Sequence, residues 1–131
     1  PYKNYGTTPL ESKTENWGVA LHLQYAFSEA VTLKSISSYR KLDWTGVRDA
    51  DNTPLTILVT DYDSSGEQLS QELQFIYSSG PWQGVIGAYY FKEEVDDVVL
   101  VILNTPPPGL QFDSDNNLTE NSNWALFSQW T

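Results

Sequence analysis

The chain has 131 residues, a net charge of −10 at pH 7, no cysteine, and an aromatic complement of eight Tyr, five Trp and five Phe. Seven Lys and Arg against 17 Asp and Glu, with no basic cluster, exclude recognition of nucleic acid through its phosphates. The missing cysteines exclude a disulfide framework and a thiolate metal site, and no run of eighteen apolar residues marks a transmembrane helix. A membrane β-barrel escapes that last test, because its strands are only half apolar. With no Met, an opening Pro1-Tyr2-Lys3 and a close inside a strand-like segment, a piece of a longer polypeptide is expected.

The first predicted strand, 14–27, alternates without a break from Trp17 to Phe27. Trp17, Val19, Leu21, Leu23, Tyr25 and Phe27 are large and apolar, while Gly18, Ala20, His22, Gln24 and Ala26 are small or polar. At about 3.3 Å per residue the apolar stripe is roughly 33 Å long. Tilted by about 40° it projects to about 25 Å, the height of the lipid-facing band of an outer-membrane barrel. A half-buried strand of a soluble β-sandwich has the same local pattern.

A second strand is predicted over 31–44, rich in β-branched, aromatic and hydroxyl residues. A polar stretch, 45–66, then reads as a long loop with Asp49, Asp51, Asp61 and Asp63. The third strand, 67–77, sets Leu69, Leu73, Phe75 and Tyr77 against Gln68, Ser70, Glu72 and Gln74. Ser78-Ser79-Gly80-Pro81 is a turn signal. The fourth strand, 82–92, is apolar on both faces, which leaves its register poorly specified. A second long loop is expected over 93–121 and a last strand over 122–131. No helical periodicity is sustained. Connections that alternate short and long put both short turns on one rim of an up-and-down sheet and both long loops on the other.

Several segments in this order resemble a known family. They are Val31-Thr-Leu-Lys-Ser-Ile-Ser-Ser-Tyr-Arg40, Arg48-Asp-Ala-Asp51 with Pro54-Leu55, Gln68-Leu-Ser-Gln-Glu-Leu-Gln74, Gly87-Ala-Tyr-Tyr-Phe91 and Trp124-Ala-Leu-Phe-Ser-Gln129. Together they are similar to the barrel of TonB-dependent outer-membrane receptors. The resemblance implies a barrel of roughly 22 strands, closed by an N-terminal plug, that imports a scarce nutrient such as a siderophore, vitamin or glycan. The plug and the TonB-contacting segment have no counterpart here. The expected fold class is therefore all-β: antiparallel up-and-down strands from a large transmembrane barrel.

No enzyme is expected, and no cofactor. His22 is the one histidine and has Ala20 and Gln24 beside it on its face, so no triad geometry is implied. Glu93-Glu94 and Asp96-Asp97 are adjacent pairs, whose members point to opposite sides of a strand and cannot converge on one bond. Asp113-Ser-Asp115-Asn-Asn117 starts like a calcium loop, yet has Leu118 and Trp124 where glycine and glutamate are required. The four aspartates of 45–66 are the ligand type of a hard cation. The five Trp suit sugar stacking, although aromatic girdles also account for them.

Val98, Val99, Leu100, Val101, Ile102 and Leu103 break the pattern. Six consecutive aliphatic residues without charge or proline form a self-association candidate of the steric-zipper type. A rim hairpin packed on the barrel is the plainer account. The expected setting is the bacterial outer membrane, with lipid against Trp17, Val19, Leu21, Leu23, Tyr25, Phe27, Leu73, Phe75 and Tyr77 and the rest of the receptor at the sheet edges. The alternative is an excised fragment whose identical copies refold into a cross-β, amyloid-like extracellular filament with a structural or matrix role.

Overall fold

The computed structural model describes residues 5–104 and 110–131, and within the latter the side chains of Leu110, Phe112 and 117–131. Five strands are present: β1 (Glu11–Ala26), β2 (Val31–Asp49), β3 (Leu58–Ser79), β4 (Trp82–Leu103) and β5 (Leu110–Trp130). They form one antiparallel sheet in the order β1-β2-β3-β4-β5. The chain is all-β and up-and-down, as its alternation predicts.

The strands run further than expected. Much of 45–66 and most of 93–121 lie in strands, and the connections shrink to 50–57 and 104–109. Acidic and hydroxyl residues there imitate loop composition, but each stretch finds its backbone partners on the neighbouring strand. Ladder bonding then overrides local propensity. The aliphatic run 98–103 is one such correction: it is half-buried strand in β4, between β3 and β5, rather than part of a loop. Glu93, Glu94, Asp96 and Asp97 likewise belong to β4. The run Thr-Pro-Pro-Pro-Gly falls outside the described residues.

The turns are set locally. Gly80 has φ 58° and precedes Pro81, whose ring forbids a positive φ, so a type I′ hairpin is impossible and glycine takes the left-handed position alone. Between β2 and β3, Asp49 and Asp51 organise 50–57. Asp49 Oδ1 accepts the Asn52 N–H at 2.8 Å, and Asn52 itself sits at φ 54°, a region asparagine tolerates.

Residue contacts divide the chain into two units. Unit 1 comprises Pro1–Asn16, Leu42–Gly66 and Val95–Thr119; unit 2 comprises Trp17–Lys41, Glu67–Glu94 and Glu120–Thr131. Among the described residues no hydrophobic side chain is buried. A single sheet has no second layer to cover either face, so the chain has no core of its own.

Candidate functional site

In unit 2, cross-strand contacts place one continuous face across all five strands. The rings of Trp17 and Tyr39 meet at 5.4 Å, tilted by 54°. Two residues along β2, the Ser37 hydroxyl donates to Gln71 Oε1, and Gln71 Nε2 donates to Ser35 Oγ at 3.0 Å. Odd-numbered residues of β1, β2 and β3 therefore share this face. Tyr39, Leu69 and Lys92 line a common cavity of about 290 Å³, which carries the face to the even positions of β4. The indole of Trp130 lies over Gly84 and extends it to the even positions of β5.

The lipid-facing residues expected from sequence meet on this surface. Trp17, Val19, Leu21, Leu23, Tyr25 and Phe27 are 53 to 64 % exposed, Leu73 and Phe75 about as open at 46 and 45 %, and Tyr77 is half-buried. Phe27 stands just past the end of β1, its ring edge-on to Tyr25 at 4.9 Å. The structure adds Ile86 and Tyr90, unassigned from sequence because both faces of β4 are apolar, and Trp124, Leu126 and Trp130 of β5. The two-residue connection at Gly80-Pro81 was the available signal: it pins the pairing of β3 with β4 and so decides which β4 residues face which way.

Aromatic rings gather towards both ends of the face. Tyr25, Phe27, Tyr77, Trp82 and Trp130 lie near the short turns, and Trp17, Tyr39, Tyr90 and Trp124 nearer the other limit of unit 2. Leu21, Leu23, Leu33, Leu73, Phe75 and Ile86 fill the band between. Charged residues appear only beyond the second aromatic group, where Lys92 and Glu94 form an ion pair and share their cavity with Glu67. Polar groups interrupt the band at Ser128 of β5 and at the Ser35–Gln71–Ser37 cluster, which is internally hydrogen-bonded.

The opposite face of unit 2 is mainly polar on β1 to β3, whereas on β4 and β5 it also bears Val85, Tyr89, Phe91 and Phe127. It carries His22, Gln24, Lys34, Arg40, Glu72 and Gln74. Ser38 and Ser70 hydroxyls bond at 2.7 Å, Gln68 Nε2 donates to Glu93 Oε1 at 2.5 Å, and Gln74 Nε2 donates to Glu72 Oε1 at 2.6 Å. Glu93 and Glu94 point to opposite sides, as adjacent strand residues must. The strand segments of unit 2 are roughly ten to thirteen residues long, near the 9–11 that a tilted transmembrane strand needs.

Unit 1 has a different chemistry. Every Asp of the chain belongs to it, whereas the acids of unit 2 are Glu29, Glu67, Glu72, Glu93, Glu94 and Glu120. Asp51 Oδ1 accepts the Thr53 hydroxyl at 2.6 Å and the Thr53 N–H at 2.9 Å, and Oδ2 accepts the N–H of Leu58 at 2.6 Å and of Ile57 at 3.0 Å. Led by the Thr53 hydroxyl and the Leu58 N–H, these donors hold its carboxyl at about 2, below the ordinary 3.8. Asp49 is also held low, chiefly by the Thr8 and Asn52 N–H groups. Both carboxylates are thus committed to backbone donors. Among the described residues no three His, Asp or Glu side chains converge on a point where a metal ion would sit. The side chains of Asp113 and Asp115 lie outside the described residues.

Unit 1 also contains a cleft of about 410 Å³. Trp44 and Tyr62 stack at 5.6 Å with planes 16° apart, and the Arg48 guanidinium lies 5.5 Å from the centre of the Tyr62 ring. Trp44 Nε1–H donates to Ser12 Oγ at 3.1 Å. Gly46 is buried beneath these groups, and a Cβ there would stand 3.0 Å from the Glu11 carbonyl. Sequence reasoning missed this cleft, since Trp44 ended a predicted strand and Arg48 and Tyr62 fell in a predicted loop. The period-two spacing of Trp44, Gly46 and Arg48 was its only trace.

No protein-family model matches the chain, and comparison with curated proteins finds no match either.

Proposed function

We propose that this chain is part of the barrel wall of a TonB-dependent outer-membrane receptor, a non-enzymatic importer of a scarce nutrient. The observation that carries the reading is the open apolar face of unit 2, bordered by aromatic residues and backed on β1 to β3 by a mainly polar face. A coreless sheet with such a surface needs an apolar medium, and a bilayer supplies one of the right height. The polar face suits a water-filled lumen, and the concentration of aspartate in unit 1 suits water. The assignment to TonB-dependent receptors in particular rests on the ordered segments noted above.

Strand parity adds support. With five strands β1 and β5 run in the same direction, so this sheet cannot close on itself by antiparallel pairing. An antiparallel barrel requires further segments, the first of them running against β5.

The reading is tested with single-Trp variants of the full chain in vesicles of lipids brominated at known depths. Trp17, Trp82 and Trp130 are expected to be quenched most by bromine near the headgroups, and Trp44 by none. A chain that stays monomeric in plain buffer and shows no quenching refutes it.

The unpaired edges of β1 and β5 favour one second reading, a filament of identical copies. It demands that Val98 to Leu103 leave their half-buried places in β4 and stack in register, giving fibre diffraction near 4.8 Å along the axis.

A further inference from the structure

We propose that the cleft over Gly46 in unit 1 binds a neutral pyranose ring, which makes a glycan the substrate class. The inference deepens the receptor reading and rests on it for the direction of transport, but its binding step is measurable alone. A cleft of about 410 Å³ falls within the few hundred Å³ of ordinary ligand sites and has room for a sugar ring or two. Its floor is the one residue without a side chain, Gly46. Its walls include the stacked Trp44 and Tyr62, whose apolar surface suits the C–H groups of a sugar.

The polar groups at the cleft point to hydroxyls. The Arg48 guanidinium only donates, and a sugar hydroxyl accepts from it without bringing a charge. Among the described residues Arg48 has no carboxylate partner, while Lys13 is paired with Glu15 at 2.6 Å. The guanidinium is therefore held over Tyr62 with its hydrogen-bonding edge unclaimed by an anion.

Net charge selects among ligands. Unit 1 contains every Asp of the chain together with Glu11 and Glu15, against Lys3, Lys13 and Arg48. Its field opposes the approach of carboxylate or phosphate ligands, and Arg48 opposes a cation inside the cleft. A neutral polyhydroxylated ring meets neither obstacle.

The test is saturation-transfer NMR on the full chain in detergent micelles, with the methyl pyranosides of glucose, galactose and mannose as probes and glucuronate as the charged comparison. Transfer to the ring C–H protons of at least one neutral pyranoside is expected, with glucuronate weaker at low salt. Gly46→Val, which fills the floor, and Arg48→Gln, which removes the charged donor, are each expected to weaken binding about tenfold or more. Arg40→Gln in unit 2 leaves it unchanged. No transfer to any neutral probe, equal or tighter binding of glucuronate, or binding indifferent to Arg48→Gln overturns the proposal. Lipid quenching of the Trp17 and Trp130 single-Trp variants in brominated vesicles, run in parallel, separates failure of the sugar site from failure of the barrel reading.

Discussion

The ring of Phe127 lies directly over Gly87, closely enough that a methyl group on Gly87 would occupy the position of the ring. The glycine is buried although it stands in the middle of an exposed sheet, because an aromatic residue of the neighbouring strand closes the gap its missing side chain leaves. Trp130 covers Gly84 in the same way on the other face. Gly87→Ala is expected to expel the ring and destabilise the β4–β5 pair by about 1–3 kcal/mol. Thermal unfolding in detergent measures it. In a double-mutant cycle the penalty is largely lost when Phe127→Ala is already present, and purely additive effects would show that the two residues do not interlock.

Leu23 and Gln24 separate the two faces of β1. Leu23→Arg places a charge near the middle of the apolar band and is expected to destabilise the chain in lipid by about 2–4 kcal/mol. Gln24→Arg, one residue on, is expected to have little effect. Denaturant titration in vesicles compares them; equal penalties would contradict a lipid-facing and a water-facing side.

Asp51 gives a pH signature. Its folded carboxyl is held at about 2 against an ordinary 3.8, so the carboxylate's contribution to the 50–57 connection is complete above about pH 4 and disappears as pH falls through about 2. Amide exchange at Ile57 and Leu58 is expected to accelerate across that window. Asp51→Asn, with one acceptor oxygen in place of two, should show the faster exchange already at pH 7. Unchanged protection in the variant would mean that the connection is held by something else.

Gln71 is the polar centre of the apolar band, and all its amide bonds are made within the protein. Nε2 donates to Ser35 Oγ and to the Glu72 carbonyl at 3.1 Å. Gln71→Leu is expected to change stability in lipid by less than about 1 kcal/mol, since interhelical-type polar contacts in membranes average about 0.6. A loss of several kcal/mol in the same unfolding assay would show that the cluster anchors β2 to β3.

The strict alternation from Trp17 to Phe27 determined by itself that β1 has one apolar and one polar side, and the want of any 3.6-residue period pointed to strands throughout the described residues. Period two is a local property, so a single strand displays it in full. The Asp- and Ser-rich stretches misled because residue type reports preference, while strand length is decided by whether a neighbouring backbone offers bonds. Only the tertiary structure joined Ile86, Tyr90 and Trp124 to the ribbon of β1. Both sides of β4 are greasy, and its orientation follows from pairing through the Gly80-Pro81 turn. The cleft over Gly46 was hidden for a related reason: Ser12, Trp44 and Tyr62 are far apart in the chain, and only the alignment of three strands sets an indole, a phenol and a guanidinium around one residue that has no side chain.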